Sequence, residues 1–222
     1  ILVKRYKRFF ADVQLDNKLV TAHCPNTGSM LGLLDEGNKV YLSESDNEKR
    51  KLKYTLEVIK LKSKHVGVNT HRTNRIVETA LNEKVFTFIK NIKEIQREVK
   101  YGENSKIDFL VTTSKEQAYI EVKNVTLARN ISVAEFSDAV TARGTKHLIE
   151  LGKLKKKGIR AIMLYIIQRD DCESFQLAKD IDPTYAENLD KAMKRGVEVF
   201  CYDCKFSNKD ILINQEIKFI ND

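Results

Sequence analysis

The sequence predicts an α/β (α+β) protein, with a small antiparallel β-barrel first and then a mixed sheet flanked by helices. Three observations carry this. Over residues 1–63, short alternating or β-rich runs recur between turn-forming clusters, the spacing of a small barrel. From Asn74 the apolar period lengthens to that of a helix in "NRIVETALNEKV". Further on, "IRAIMLYIIQR" is continuously apolar, the pattern of a strand buried on both faces of a helix-covered sheet.

Taken in order, "FFADVQL", "LVTAHC", "KVYLSES" and "YTLEVIKL" read as barrel strands, separated by "DNK", "PNTGS", "DEGN" and "SDNEKRK". The helix after them places Ile76, Val77, Ala80 and Leu81 on one side, with Asn74 as a candidate cap. "EIQREVKYG" and "KIDFLVTT" follow as strands around the turn "YGENSK", and "AYIEVKNVTL" is a third. Residues 134–157 are expected to be helical, ending near Gly158. After the buried strand, "TYAENLDKAMKRG" reads as a helix stopped by Gly196, and "VEVFCYDCKF" as the last main strand. The expected division is 1–68 and 69–222, without a Pro- or Gly-rich linker, so the two parts should pack together.

A chain of 222 residues, 42% hydrophobic and 32% charged, has the composition of a globular protein that buries its own core. No stretch approaches 18 uncharged apolar residues, so no membrane partner is expected. Lys and Arg interrupt the apolar start "ILVKRYKRFF", unlike a signal peptide. Net charge of +8 favours polyanionic partners, of which nucleic acid is the simplest. "CYDC" at 201–204 has C-x-x-C spacing but no second pair nearby. On an alternating strand Cys201 and Cys204 should oppose each other, so reduced cysteines in a cytoplasmic protein are expected.

The chemistry lies in "KIDFLVTTSKEQAYIEVKNV", residues 106–125. Residues i and i+2 of a strand share a face. Glu121 and Lys123 therefore project together, with Ile120 and Val122 on the opposite layer. Ile107 and Phe109 are expected to share the face away from Asp108. Pairing of the two strands can bring Asp108 beside Glu121. Two such carboxylates repel, and a divalent cation removes the conflict. Hard oxygen ligands with open water positions suit Mg²⁺ or Mn²⁺, and the backbone carbonyl of Val122 can add a ligand. Lys123 can then orient water or stabilise transition-state charge during phosphodiester hydrolysis. Read without a cation, the same residues are a Glu–Lys pair on a solvated sheet face.

D-x₁₂-E-V-K on this strand order resembles the PD-(D/E)XK nuclease superfamily. More specifically, "KRYKRFFADV", "HCPNTGSM", "EVKYGENSKIDF", "YIEVKNVTL", "DAVTARGTKHL" and "IDPTYAENL" together resemble the sugar fermentation stimulation protein A family over nearly the whole chain. That resemblance implies an N-terminal OB-fold domain, a PD-(D/E)XK nuclease-like domain, DNA binding, and an association with bacterial sugar (maltose) use. It carries the nuclease motif to Asp108, Glu121 and Lys123. Glu98 in "EVKYG" is a candidate third acid, with Glu78 on the preceding helix an alternative. In "DAVTARGTKHLIEL", Ser137, Ala142 and Thr145 stand where the family commonly has Pro, Glu and Gln.

Nucleic-acid contacts are expected from Arg5 and Arg8 in "KRYKRFF", and from Asn26 with Thr27 and Ser29 in the "PNTGS" turn. Arg143, Lys146 and His147 on the later helix are candidate phosphate contacts, Arg143 and His147 sharing one side at i and i+4. Two functions follow. One is a Mg²⁺-dependent nuclease; the alternative is a non-enzymatic, largely sequence-nonspecific DNA-binding regulator on a nuclease-like scaffold. No helix-turn-helix or P-loop pattern stands out.

Overall fold

The computed structural model describes residues 1–101, 105–207 and 209–221. Part of the expected "YGENSK" turn lies outside the described residues.

Six strands come first: β1 (Leu2–Tyr6), β2 (Phe10–Leu15), β3 (Lys18–His23), β4 (Lys39–Glu44), β5 (Tyr54–Leu61) and β6 (Lys64–Gly67). They form one sheet in the order β1-β2-β3-β5-β4, with β6 also on β5. Asp16 and Asn17 make the two-residue β2–β3 turn, both at positive φ (45° and 64°), the backbone that fits a hairpin's twist and that Asn and Asp tolerate. The expected all-antiparallel pairing holds except at one place: β3 runs parallel to β5 through Ala22–Tyr54 and His23–Thr55. The chain crosses over through β4 between them, so β3 and β5 leave their ladder in one direction. The two ends of the sheet approach each other, Leu2 exchanging backbone hydrogen bonds with Asn38 and Gly37 (2.8 and 2.9 Å). Leu2, Ala11, Val13, Leu56, Ile59 and Val66 fill the interior.

The second part opens with a short 3₁₀ turn at Thr70–Arg72 and α1 (Thr73–Asn82). There follow β7 (Ile92–Tyr101), β8 (Ser105–Thr113), β9 (Gln117–Val125), β10 (Leu127–Asn130), β11 (Ser132–Phe136), α2 (Ala142–Lys156), β12 (Arg160–Ile167), β13 (Cys172–Leu177), α3 (Pro183–Lys194), β14 (Glu198–Phe206), β15 (Ile211–Glu216) and β16 (Lys218–Ile220). The main sheet has the order β15-β14-β12-β9-β8-β7, and β12 is parallel to both neighbours. Its continuous apolar run has the reason given by the sequence: Ala161, Met163, Tyr165 and Ile167 enter the core under α2 and α3, whereas Ile162, Leu164 and Ile166 enter the core under α1. The Tyr165 and Tyr185 hydroxyls satisfy each other at 2.7 Å inside that first core.

Two expectations are corrected. The helix expected over 134–157 begins only at Ala142, where the Thr141 side chain accepts from the Gly144 amide; residues 132–136 are β11. That strand joins β10, β13 and β16 in a second, four-stranded sheet, built from segments too short and irregular in pattern to separate from helix or loop by periodicity. Asn74 does not cap α1: the N-cap is Arg72, with no side-chain cap bond. Cys201 and Cys204 do face opposite cores, and both thiols are free and buried.

The two parts are packed against each other. Gly67 donates its amide to the Gln168 carbonyl (2.8 Å), and Asp170 accepts from the His65 amide (2.7 Å) and pairs with its ring Nδ1 (2.9 Å). A Cβ at residue 67 would press on the end of the Gln168 side chain, so glycine eases the close approach here.

Candidate active site

Asp108, Glu121 and Lys123 meet at the inner edge of the β8–β9 pairing. The ladder ends at Phe109–Ile120; one step further, the register sets Asp108 opposite Glu121. Ladder pairing stops there because the Asp108 carboxylate takes the place of a backbone acceptor. Its Oδ2 accepts from the Val122 amide (2.8 Å) and its Oδ1 from Asn74 Nδ2 on α1 (2.9 Å). This irregularity overturns the expectation that Ile107 and Phe109 share a face. Ile107 lies in the core under α2 and α3, Phe109 in the core under α1. The partner strand changes face at the same level: β7 pairs through Arg97–Phe109 and Val99–Ile107, and Glu98 between them has φ 53°.

Glu121 is buried, its side chain 2% exposed. Lys123 Nζ lies 2.6 Å from its Oε1, and His147 Nδ1 from α2 also contacts that oxygen. Lys123 Nζ and His147 Nδ1 are 3.3 Å apart. The other oxygen, Glu121 Oε2, is buried with no hydrogen-bond partner among the described residues, and so is the Tyr101 hydroxyl. Leaving such an atom unpaired costs roughly 1–3 kcal/mol, so these two point to a polar guest. The two carboxyls are pushed in opposite directions. Burial, then the charge of Glu121, raises the Asp108 pKa. Burial pushes Glu121 up as well, but Lys123 and His147 outweigh it and leave that pKa lowered. A proton entering the pair therefore goes to Asp108.

Among the described residues, no group of three or more His, Cys, Asp or Glu side chains is arranged to hold a metal. The donor set is smaller: two carboxylates and the Val122 carbonyl. Within a strand, a residue's N–H and C=O point to the same edge, so that carbonyl turns toward Asp108 as its amide does. With water completing the shell, this set fits a hard divalent cation, and the unpaired Oε2 supplies the structural reason.

The remaining expected residues divide sharply. Glu98 is not brought to the acids; it is exposed and reaches Lys106 at 3.4 Å, because the change of face turns it outward. Glu78 pairs with Arg97 at 3.2 Å, and it is Asn74, one turn earlier on α1, that faces Asp108. Arg5 is not a free phosphate contact: its guanidinium donates to the carbonyls of Asn26 (2.7 Å), Gly28 (3.0 Å), Ser29 (3.4 Å) and Arg8 (2.9 Å). Asn26 is buried, donating to the Val68 carbonyl (3.2 Å) and accepting from the Gly28 amide (2.8 Å), so it holds the turn. His147 faces the acids rather than sharing an outer side with Arg143; Arg143 and Lys146 are exposed. Arg8 lines a groove of about 430 Å³ with Thr27, Thr70, Asn124 and Thr141. Sequence reasoning missed Tyr101, for which no local signal exists, and the role of Asn74.

A β-barrel-like half joined to a mixed sheet with an acid–acid–lysine cluster defines a class: an OB domain followed by a nuclease-like α/β domain. Residues 3–68 match the family described as the SfsA N-terminal OB domain, and residues 71–210 the sugar fermentation stimulation protein RE domain. The sugar fermentation stimulation protein homolog of Pelagibacter ubique is 51% identical over 220 residues, covering 99% of this chain and 95% of the relative. That of Maricaulis maris is 46% identical, covering 98% and 93%. The solved structure of Pyrococcus furiosus SfsA in complex with Ca²⁺ superposes with a TM-score of 0.91 at 25% identity, covering 99% of this chain and 94% of that one. The chain belongs to the sugar fermentation stimulation protein (SfsA) family. No helix is long and apolar enough to cross a membrane among the described residues.

Proposed function

We propose that this protein hydrolyses phosphodiester bonds in DNA with Mg²⁺ or Mn²⁺ held by Asp108, Glu121 and the Val122 carbonyl. The observation that carries this reading is the buried Glu121 Oε2, without a partner among the described residues, on the same sheet face as the Lys123 ammonium and beside a second carboxylate. That a relative was solved with Ca²⁺ supports a hard-cation site in the family. A bound cation would supply Lewis acidity at a phosphoryl oxygen and acidify a water. Lys123 places positive charge where the phosphorane-like transition state gathers negative charge. His147 holds Glu121 Oε1 and so fixes which carboxylate oxygen stays open. Asn74 and the Val122 amide fix Asp108. Residues 1–68 hold the nucleic acid, with Arg8, and Arg143 and Lys146 from α2, as exposed cations toward phosphate.

A second reading has one observation in its favour. Glu121 Oε1 is contacted by both Lys123 and His147, which leaves a single open oxygen and suits a regulator that binds DNA without cutting it. Cleavage of single-stranded, duplex and flapped DNA and of RNA, with Mg²⁺ or Mn²⁺, separates the two. Cutting by wild type that is lost in Lys123→Ala supports hydrolysis. Binding without cutting on every substrate leaves the regulator.

A further inference from the structure

On the face of the molecule covered by α1, away from the acids, the barrel and the second part enclose a cleft of about 280 Å³. Three rings cross it. Tyr41 on β4 tilts over His65 on β6 (centroids 5.9 Å, 56°), and His65 stacks on Phe206 at the end of β14 (5.5 Å, 26°). The middle ring is fixed, since Asp170 holds both its Nδ1 and its backbone amide. The outer ring is open: Tyr41 is 45% exposed. One row along the same sheet face, Lys39 stands directly opposite Lys60, and Lys60 opposite His65. Like charges set opposite across strands are destabilising, and neither lysine has an ion-pair partner among the described residues. Lys209 and Arg72 line the cleft itself. Of its acids, Glu57 is neutralised by Arg72 at 2.9 Å and by hydrogen bonds from Ser43 and Asn69, and Asp210 lies on the turn after β14.

An exposed aromatic beside a preorganised ring pair, next to uncompensated lysines, combines the two elements that bind single strands: a stacking platform and cations along the backbone. We propose that this cleft binds the nucleotide units of single-stranded nucleic acid, a base stacking on Tyr41 and the phosphates meeting Lys39, Lys60 and Lys209. The assignment goes beyond the hydrolytic reading and stands whether or not the acids cut.

The test uses the full-length protein in EDTA, so that no cleavage enters. A labelled fifteen-nucleotide oligo(dT) and a duplex of equal length are titrated by fluorescence anisotropy, with thermal melting to check the fold. Tyr41→Ala should weaken oligo(dT) binding about tenfold and leave the duplex within about twofold, while Tyr41→Phe retains binding because the ring face makes the contact. Lys39→Gln with Lys60→Gln should lower the slope of affinity against salt by roughly 1.4 for the single strand. Unlabelled thymidine monophosphate identifies the source. Failure to displace the oligonucleotide at equal nucleotide concentration supports a strand, and equal displacement overturns the strand in favour of a free nucleotide. Unchanged oligo(dT) affinity in Tyr41→Ala and in the double lysine variant overturns the site. So does equal weakening for duplex and single strand in Tyr41→Ala.

Discussion

The β8–β9 acid cluster and the turn at residues 26–29 are both polar, and both stand out in the sequence as candidate sites, but folding treats them differently. Around the turn, the side chains that hold the backbone are spent internally: Arg5 bonds to four carbonyls and Asn26 closes its own loop onto Val68. At the acids, Glu121 is buried, yet its Oε2 and the Tyr101 hydroxyl have no partners among the described residues. Saturated polar groups hold a backbone in place. Buried polar groups left unsaturated cost stability that a fold retains for a ligand. The contrast separates a brace from a site better than residue type does.

The largest effect that could break this comparison is at Lys123. Lys123→Ala should lower a cleavage rate by about 10³-fold, the scale of removing one aimed electrostatic group, with the fold checked by circular dichroism. Residual activity near wild type would make Lys123 merely the counter-ion of Glu121. Next comes Arg5→Ala, which removes four hydrogen bonds, two of them part-buried, and should cost about 2 kcal/mol of stability, read by urea unfolding. A stable Arg5→Ala protein that loses DNA affinity would return Arg5 to the binding surface.

Asn74→Ala removes one hydrogen bond to a half-buried carboxylate and should raise the Asp108 pKa further. That links to pH. The Asp108 pKa is raised, by burial first and by Glu121 second, so the folded protein holds this proton more tightly than the unfolded chain. Ionising it costs stability as pH rises through the raised value, and a cation must displace the proton to bind. Divalent-ion affinity should therefore increase with pH across that window, with proton release on binding, and Asn74→Ala should move the window upward. Calorimetry in buffers of different ionisation enthalpy reads both; affinity independent of pH would remove Asp108 from the ligand set. The smallest effect is at Tyr101. Tyr101→Phe deletes a hydroxyl with no partner among the described residues, so the cation-free protein should be unchanged or up to about 1 kcal/mol more stable, while cation binding weakens. A clear loss of stability without cation would mean the hydroxyl is already satisfied.

The sequence of "YIEVK" was enough to place Glu121 and Lys123 on one face, because alternation is a local property of an extended backbone. For the same reason Val122 and the strand β12 could be read directly. Asp108 was legible as a partner, but not the route by which it arrives: its carboxylate interrupts the ladder, and the faces of Ile107 and Phe109 exchange around it. Glu98 was misplaced by that same event, since one local change of face reverses a side chain's direction. His147 looked like a surface neighbour of Arg143, and only the packing of α2 turned it onto Glu121.

Composition, periodicity and turn residues determined by themselves that the chain divides into a β-rich first part and a mixed α/β second part, and that an acid–acid–lysine set lies on adjoining strands. These depend on interactions between residues close in sequence. Which acids share a pocket, that Asn74 serves Asp108 rather than its helix, that Arg5 braces a turn, and that Tyr41, His65 and Phe206 form one row were decided by tertiary structure. Each depends on contacts between residues distant in sequence, and the pattern within a single strand or helix carries no information about what will be packed against it.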